Sequence, residues 1–514
     1  MALPSLISER RIFSMRALSK SKILAYRQCA KRLWLEVNRP DLMEETSTTE
    51  VRYEVGHQVG DLARHLYDPD HNGVLIDPQR DGFDVAFKQT SDLLSSFKPI
   101  FEASFSAAGG LALADIMLPI NKRGKPRWRM IEVKSSTSIK DYHRDDVAIQ
   151  AFIARKSGLD LERIELACID SSWIYPGKEN YQGLLKETDL SEEAFGRGEE
   201  VNQWIKDAQA IVNKKREPKV LTGVHCDNPY SCGFYEYCAK KELHPKYPVS
   251  WLPRIQSKAL KTLVYEGGIS DLRDVPDEIL NPTQLRVKRH TLSGKAYFDA
   301  KGALEDLSAH KLPAYFLDFE TIQFAIPVWK GTRPYQLVPF QFSLHKMSRN
   351  GNLTHLSFLD LSGKDPSKPF SNELVRHCGV IGPIYAYNAG FESARIKGLA
   401  AEFPRLKKRL LAINDRLVDL MVIARERYYH PSQCGSWSLK KVLPAIAPDL
   451  HYDELDGVQD GGMAMDVFSE AIASETTSER KVEIEKQLLD YCELDTTALV
   501  RLWRFFMERK MHVK

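Results

Sequence analysis

The sequence predicts a mixed α/β protein with two globular domains and a helical segment between them. Apolar runs of strand length occur in both halves of the chain, as in "LALADIMLP" and "AYFLDF". Amphipathic helical patterns follow them, as in "DDVAIQAFIARKSGL" and "LLDYCELDTTALVRLWRFF". A length of 514 residues with 43% apolar content is enough for two or three domains with sizeable cores.

The domain boundaries follow from where these patterns change. We place the first α/β domain at residues 1–245, which ends just after a group of cysteines. Residues 246–310 are predicted to form a helical linker, in which the pattern of "KALKTLVYEGG" stops at Gly267 and Gly268 and then restarts. That pattern fits a helix-hairpin-helix or a plain spacer. The second α/β domain occupies residues 311–514.

Composition and charge favour a cytoplasmic protein without a membrane partner. No run approaches the ~20 apolar residues that a membrane helix needs, and "MALPSLISERRIF" lacks the apolar core of a signal peptide. The net charge is only +3, but residues 1–40 carry nine Lys and Arg against two Glu. Such a run is either a solvated face or a contact for a polyanion such as nucleic acid. The sequence does not indicate a particular protein partner.

The stretch "HCDNPYSCGFYEYC" contains three evenly spaced cysteines. Cys226, Cys232 and Cys238 are each separated by five residues. Disulfides are not expected in a reducing cytosol, and clustered intracellular cysteines indicate a metal or iron–sulfur site. A closed site with four thiolates needs a further cysteine.

Two strand-like runs carry a first candidate site. Asp115 lies in "LALADIMLP", and Glu132 and Lys134 lie in "RWRMIEVKSS", where strand alternation turns them to one face. A hairpin around "NKRGKP" would bring Asp115 beside them. The carboxylates could hold Mg²⁺ or Mn²⁺, and the lysine could orient a water or stabilise charge on a phosphate. An ordinary surface Glu/Lys pair is the alternative.

With "LSKSKILAYRQCAKRLWLEV" upstream, this region resembles the RecB-like PD-(D/E)xK nucleases that carry an iron–sulfur cluster, such as those of CRISPR spacer acquisition. The resemblance implies that the catalytic residues are Asp115, Glu132, Lys134 and Gln150. It also implies that the cofactor ligands of a [4Fe–4S] cluster are Cys29, Cys226, Cys232 and Cys238. Zinc, which also accepts four thiolates, is the alternative.

One position departs from that family. Its metal-binding histidine corresponds to Gly60, and His57 lies one helical turn earlier. Residues three apart share a helix face, so His57 is either a metal ligand or a surface histidine.

Three motifs in the second half carry a second candidate site. "AYFLDFETIQ" places Asp318 and Glu320 on one strand face, and "IYAYNAGFE" places Glu392 at the start of a helix. "YCELD" sets Tyr491 and Asp495 on one helix face, four residues apart. Each motif alone fits an ordinary strand end, a helix N-terminal acid or a polar helix stripe.

In this order the motifs resemble the DnaQ-like exonucleases of the ribonuclease-H fold, in the branch with a catalytic tyrosine (DEDDy). The resemblance implies that two Mg²⁺ or Mn²⁺ ions are held by Asp318, Glu320, Glu392 and Asp495, with Tyr491 orienting the attacking water. The family usually has Asp at the position of Glu392. Asp419, in "VDLMVIARERYY", is a supporting acid, a helix cap or a solvated acid.

The two resemblances together predict a fold with a PD-(D/E)xK nuclease core, a four-cysteine cluster, a helical linker and a ribonuclease-H-like domain. The predicted function is metal-dependent hydrolysis, as an exonuclease, of phosphodiester bonds in DNA or RNA. The alternative is a nucleic-acid-binding or scaffold protein in which one or both sites have lost activity.

Overall fold

The structure of the protein is a computed structural model that describes residues 17–44, 47–120, 124–242 and 245–507, apart from the side chains of residues 47–52. The basic residues Arg10, Arg11 and Arg16 and the signal-peptide prediction lie outside these ranges. The chain forms two compact units, one of residues 1–243 and 325–335, the other of residues 244–324 and 336–514. The predicted linker, residues 246–310, belongs to the second unit.

Both units combine helices with mixed sheets, so the predicted α/β class is confirmed. The first unit has a seven-stranded sheet in the order β2-β3-β4-β5-β6-β7, and β1 pairs with β4. Its strands are β1 (Leu18–Ser19), β2 (Val74–Leu75), β3 (Ile100–Ala107), β4 (Gly110–Pro119), β5 (Trp128–Lys134), β6 (Leu161–Ile169) and β7 (Leu185–Asp189). The pairs β3–β4, β4–β5 and β6–β7 are antiparallel, and β1–β4, β2–β3 and β5–β6 are parallel.

The first unit contains the following helices, several of which pack on this sheet. They are α1 (Lys20–Gln28), α2 (Ala30–Asn38), α3 (Ser47–Tyr67), α4 (Pro78–Asp81), α5 (Phe83–Leu93), α6 (Asp141–Lys156), α7 (Ser191–Gly196), α8 (Gly198–Val212) and α9 (Tyr235–Ala239). Helix α6 is buried along most of its length, and its Val147 and Ile153 pack with Met130 of β5 in the main core. Because side chains alternate along a strand, Glu132 lies on the same face as Met130 and is turned toward α6.

The second unit is built on a five-stranded sheet in the order β11-β10-β9-β12-β13, with a separate pair of β8 and β14. These strands are β8 (Tyr297–Phe298), β9 (Ala314–Ile322), β10 (Val338–Met347), β11 (Leu353–Leu359), β12 (Ile384–Ala386), β13 (Leu417–Asp419) and β14 (Tyr428–Tyr429). Strands β9, β10 and β11 are antiparallel neighbours, whereas β9, β12 and β13 run parallel.

Helices cover both faces of this sheet. They are α10 (Lys258–Lys261), α11 (Pro282–Ser293), α12 (Ala300–Ser308), α13 (Ser367–His377), α14 (Gly390–Glu402), α15 (Lys407–Asn414), α16 (Leu420–Arg427), α17 (Leu439–Ile446), α18 (Gly461–Ile472) and α19 (Ser478–Met507). In β9, Phe316 packs with Trp503 of α19, and its neighbour Leu317 packs in a second cluster with Ile396 of α14. Asp318 and Glu320 alternate onto the face of Phe316, which is the face of α19.

The segment that resembles a helix-hairpin-helix has only one helical arm. Helix α10 continues as a π-helical turn over Thr262–Glu266 and ends at Gly267. After the turn, 3₁₀ segments at Leu272–Asp274 and Asp277–Ile279 replace the second helix. Pro276 lies between them and has no N–H to donate, which prevents a continuous helix there.

Across the four ranges that the structure describes, none of the helices combines the length and apolar character required to cross a bilayer.

We predict that Gly435→Ala destabilises the second unit far more than Gly351→Ala does. Both glycines have positive φ, 78° and 85°, so an alanine costs ~1–2 kcal/mol at either position. A Cβ at Gly435 would also lie 1.6 Å from the carbonyl oxygen of Trp251, whereas a Cβ at Gly351 meets open space. Urea unfolding should give a loss of about 3 kcal/mol or more for Gly435→Ala. Equal losses for the two variants would contradict the close approach.

Candidate functional site

The first site gathers the predicted residues of β4 and β5 around one buried glutamate. The predicted hairpin is present, and the Val133 N–H donates to Asp115 Oδ2 at 2.8 Å. Lys134 Nζ donates to Glu132 Oε1 at 2.6 Å, and Gln150 Nε2 donates to Glu132 Oε2 at 2.6 Å. Glu132 is 1% exposed and Gln150 is fully buried. The structure therefore brings Asp115, Glu132, Lys134 and Gln150 together.

Two residues that the sequence analysis missed complete this site. Lys20, at the start of α1, donates to Glu132 Oε1 at 2.7 Å. Asp146 of α6 accepts from Lys134 Nζ at 2.6 Å and lies one helical turn before Gln150, on the same face. The signal for Asp146 was present, since it is an acid on the buried stripe of an amphipathic helix. Lys20 gave no such signal, because it lies 112 residues before Glu132 and among other basic residues.

The electrostatics of the first site combine burial with nearby charge. Burial, together with the neighbouring Asp115, raises the pKa of Glu132 to about 7. Burial also opposes ionisation of Asp146, but Lys134 and Lys20 outweigh it and hold the pKa of that carboxyl well below its usual range. Burial alone would lower the pKa of Lys134, whereas Asp146 and Glu132 raise it. The lysines thus stay charged and Asp146 stays ionised.

His57 was predicted to be either a metal ligand or a surface histidine. It lies exposed on α3, and within the described ranges no hydrogen bond or ion pair joins it to Asp115, Glu132 or Lys134. The structure gives no geometric support to its predicted role as a ligand.

The four predicted cofactor cysteines line one cavity of the first unit. They are Cys29, Cys226, Cys232 and Cys238. All four are free thiols, and no three of their sulfur atoms lie within 4.8 Å of one another. Cys29 is the residue at which α1 ends, and the neighbouring Gln28 side chain donates to the carbonyls of His225 and Tyr230 at 2.7 and 2.8 Å. These bonds fasten α1 to the loop that carries the later cysteines.

The cavity combines buried thiols with cationic side chains. Burial raises the pKa of Cys226, Cys232 and Cys238, and Arg32 and Lys31 partly offset this at Cys232 and Cys238 respectively. Lys31 is 7% exposed, which is unusual for a lysine. A negatively charged group at the cysteines would compensate for its burial.

The second site collects four acids at one end of the sheet of the second unit. Asp318 and Glu320 project from β9 and form, with Cys492 of α19, a group whose ligand atoms lie within 4.8 Å of one another. Glu392 and Asp495 are not members of this group, but after burial the charges of Asp495 and Glu392 also raise the pKa of Glu320. The predicted acids are thus close enough to act on one another.

The acids of the second site have almost no polar partners. Among the described residues, no ion pair within 4.0 Å involves Asp318, Glu320, Glu392 or Asp495. Glu392 is 2% exposed, and its Oε2 has no hydrogen-bond partner. Asp495 Oδ1 accepts from the Tyr452 hydroxyl at 2.5 Å, and the Cys492 thiol lies 3.8 Å from Asp318 Oδ2.

Burial therefore shifts these acids toward their protonated forms. It raises the pKa of Glu320 to about 8, that of Glu392 to about 8 and that of Asp495 to about 6. For Asp318, burial and the nearby Asp495 raise the pKa well above its usual range. Tyr452 and Tyr491 lower the pKa of Asp495 by hydrogen bonding, so the pKa of Asp495 is raised less than that of Glu320 or Glu392. A cation bound among these acids would relieve the same repulsion.

Three neighbours of the second site were missed from sequence. Tyr452 and Cys492 are described above, and Lys440 of α17 lies over the rings of Tyr452 and Tyr491 at 5.1 and 5.8 Å. Lys440 lowers the pKa of Glu320, although burial and Asp495 outweigh it. Cys492 lies inside the "YCELD" motif and could have been identified there. Tyr452 comes from a loop with no repeating pattern.

Asp419 is a helix cap, which is one of its predicted roles. Its carboxylate accepts from the Met421 N–H at the start of α16, at 2.9 Å, and from the Asn388 N–H at 3.0 Å. The second of these bonds fixes the turn that precedes Glu392.

The second site is thus a buried carboxylate cluster on a sheet covered by helices, the kind of site that binds divalent cations. Residues 315–438 match the family model described as "Domain of unknown function (DUF2779)". The matched range contains Asp318, Glu320 and Glu392 and ends before Tyr491 and Asp495. No curated protein matches the chain.

We predict that the metal-free protein loses stability as the pH rises toward 9. The folded state holds protons on Glu320 and Glu392 up to about pH 8, whereas the unfolded state releases them near the ordinary glutamate value of 4.5. The stability that each carboxyl contributes is fully present below its pKa in the unfolded state. It is lost as the pH rises through its pKa in the folded state, at about 1.4 kcal/mol per pH unit for each such carboxyl. Glu392→Gln should make the decline shallower.

The measurement is thermal unfolding in chelator between pH 5 and 9, with and without added Mg²⁺. Glu278→Gln, at an exposed position of the same unit, is the control and should keep the wild-type slope. A Glu392→Gln slope equal to that of wild type would contradict the assignment.

Proposed function

We propose that this protein is a metal-dependent nuclease that hydrolyses phosphodiester bonds in DNA or RNA. One observation carries the proposal, namely the cluster of four buried or half-buried acids in the second unit, which has no cationic partner within 4.0 Å among the described residues. Buried carboxylates that lack partners are costly, and they persist where a bound cation compensates them. The Oε2 atom of Glu392, which has no hydrogen-bond partner among the described residues, supports this most directly, because a bound cation would compensate it.

The strand order of the second unit supports a ribonuclease-H-like fold for this site. In chain order the five strands are β9 to β13, and in space they lie as β11-β10-β9-β12-β13, with the acids on the central strand β9. Together with the three sequence motifs, this arrangement favours a DnaQ-like exonuclease. The longer acid, Glu392, reaches the cluster from the N-terminal turn of α14.

The residues of the second site have distinct roles under this proposal. Asp318, Glu320, Glu392 and Asp495 would hold two Mg²⁺ or Mn²⁺ ions. When bound, such ions stabilise charge on the attacking and leaving oxygens of an in-line displacement. Tyr491, 6% exposed beside Asp495, would orient the attacking water through its hydroxyl. Lys440 is exposed at the rim and would contact a phosphate of the substrate strand.

The first site supports a second hydrolytic centre. Asp115 and Glu132 would hold a divalent cation, which when bound activates a water and stabilises charge on the phosphate. Gln150 holds one oxygen of Glu132, and Lys134 holds the other. These contacts fix the carboxylate and leave the lysine positioned to stabilise charge on a phosphate.

The cysteine cavity supports a [4Fe–4S] cluster held by Cys29, Cys226, Cys232 and Cys238. The four sulfurs around one zinc ion would lie ~3.8 Å apart, given a Zn–S distance of about 2.3 Å. No three of these sulfurs lie within 4.8 Å of one another, so the thiols are not already gathered around a zinc-sized centre. The role of the cluster would be structural, because it joins the end of α1 to the segment after α8.

One observation favours the alternative function, a nucleic-acid-binding protein with an inactive first site. Glu132 and Asp146 are already paired with lysines, so this site is stable without a metal. Chelator-sensitive cleavage that persists in Asp318→Asn would show an active first site, and a complete lack of cleavage would favour the nucleic-acid-binding function.

We predict that Asp318→Asn lowers the release of mononucleotides from end-labelled DNA or RNA at least ~10²-fold, because it removes a directly coordinating charge. Single- and double-stranded substrates should be incubated with Mn²⁺, and chelator should abolish the reaction. Asp490→Asn, the matched control on α19, pairs with Lys486 at the surface and should keep wild-type activity. Cleavage that remains in Asp318→Asn should be lost on adding Lys134→Met. No release from any end by the folded wild-type chain would refute the nuclease.

We predict about four irons per chain after purification without oxygen, with a brown colour. Cys232→Ser should lose the iron and the stability of the first unit, whereas Cys434→Ser, a free cysteine outside the cavity, should keep both. Metal analysis and acid-labile sulfide provide the measurement. Stoichiometric zinc without acid-labile sulfide would contradict the iron–sulfur cluster and support zinc as the bound metal.

A further inference from the structure

Lys20 is a second lysine in the first site and makes nearly the same contacts as Lys134. Its amine lies 2.7 Å from Glu132 Oε1 and 3.5 Å from Asp146 Oδ1. Lys134 lies 2.6 Å from the same oxygen of Glu132 and 2.6 Å from Asp146 Oδ2. One buried carboxylate oxygen therefore accepts from two ammonium groups.

The backbone places Lys20 there independently of its charge. Leu18 of β1 pairs with Gly110 of β4, and Ser19 caps α1 by accepting from the Lys22 N–H at 3.4 Å. Ile23 of α1 is buried in the core. Since strand pairing, cap and core contacts hold the start of α1, the amine of Lys20 can be changed without removing what positions it.

The far end of α1 is held as well. The helix ends at Cys29, and Gln28 bonds to the loop of the later cysteines. A helix of nine residues thus spans the distance between the cysteine cavity and Glu132. Its position at both ends is set by the fold.

The charges of the site indicate that Lys20 has an electrostatic role beyond packing. The site contains four acids, Asp115, Glu132, Asp146 and Glu102 of β3, and the two lysines offset only part of their charge. A divalent cation that binds Glu132 must take an oxygen that both lysines now hold. Lys134 is the lysine of the nuclease motif, whereas Lys20 is additional.

We propose that Lys20 is a positioning residue of the first site that holds Glu132 and Asp146 in the metal-free state and competes with the divalent cation for them. It thereby sets the metal concentration at which the site fills. The inference rests on the proposed function, because it takes Glu132 as a metal ligand. A simple structural ion pair would stabilise the unit without affecting the affinity for metal.

The test is Mn²⁺ binding by calorimetry to the full chain, with the second site disabled by Asp318→Asn and Glu320→Gln. Lys20→Met should bind Mn²⁺ at least about tenfold more tightly than this background, because a competing positive charge is gone. Lys20→Arg keeps the charge and should stay within about twofold of the background. Lys22→Met is the matched control, since Lys22 lies on the same helix and pairs with Glu36 at 2.9 Å, away from the site.

Unchanged or weaker Mn²⁺ binding by folded Lys20→Met would overturn the proposal, as would an absence of binding in both background and variant. Lys20→Gln, uncharged but still able to donate to Glu132, is measured in parallel and decides the question if Lys20→Met does not fold. Binding that appears only in the uncharged variants supports the proposal. Cleavage is scored separately, so tighter binding without any cleavage in this background would refute hydrolysis at the first site and leave the role of Lys20 intact.

Discussion

Both units depend on what happens to a carboxylate that the fold removes from water. Burial penalises the charged form, so a buried acid needs a cation, several hydrogen bonds or its own proton. In each unit the strands that form the sheet also carry acids to one of its covered faces. The packing of the core and the chemistry of the site are consequently one problem, since the helices that bury the apolar residues bury these acids too.

The two units solve this problem differently. In the first, lysines on β5 and at the start of α1 neutralise Glu132 and Asp146, and the site is complete as it stands. In the second, no ion pair within 4.0 Å reaches the acids among the described residues, and burial, with repulsion from neighbouring acids, raises the pKa of Glu320 and Glu392. The first arrangement supplies cationic partners to its acids from the chain itself and the second does not, although both are built from aspartate and glutamate on sheets.

The sequence predicted site residues correctly where they share the repeat of the strand or helix that carries them. Alternation along β5 and β9 places Glu132 with Lys134 and Asp318 with Glu320, and the four-residue spacing places Tyr491 with Asp495. Lys20 and Tyr452 were missed because their partners are far away along the chain and no local sequence pattern marks them. The second arm of the hairpin motif was misjudged for another reason, since apolar spacing alone cannot distinguish a helix from 3₁₀ turns that bury the same residues, such as Leu272 and Val275.

The path of the chain has a consequence for synthesis. Residues 325–335 belong to the first unit but are made after β9 of the second. Ala325 joins a small core with Val59, Ile169 and Leu184, and the Tyr335 hydroxyl bonds to the Ser135 carbonyl. A ribosome must therefore translate well into the second unit before the first can be finished. Nascent chains released before residue 335, or genes divided at residue 243, would yield a first unit with an uncovered apolar patch for chaperones and proteases to recognise.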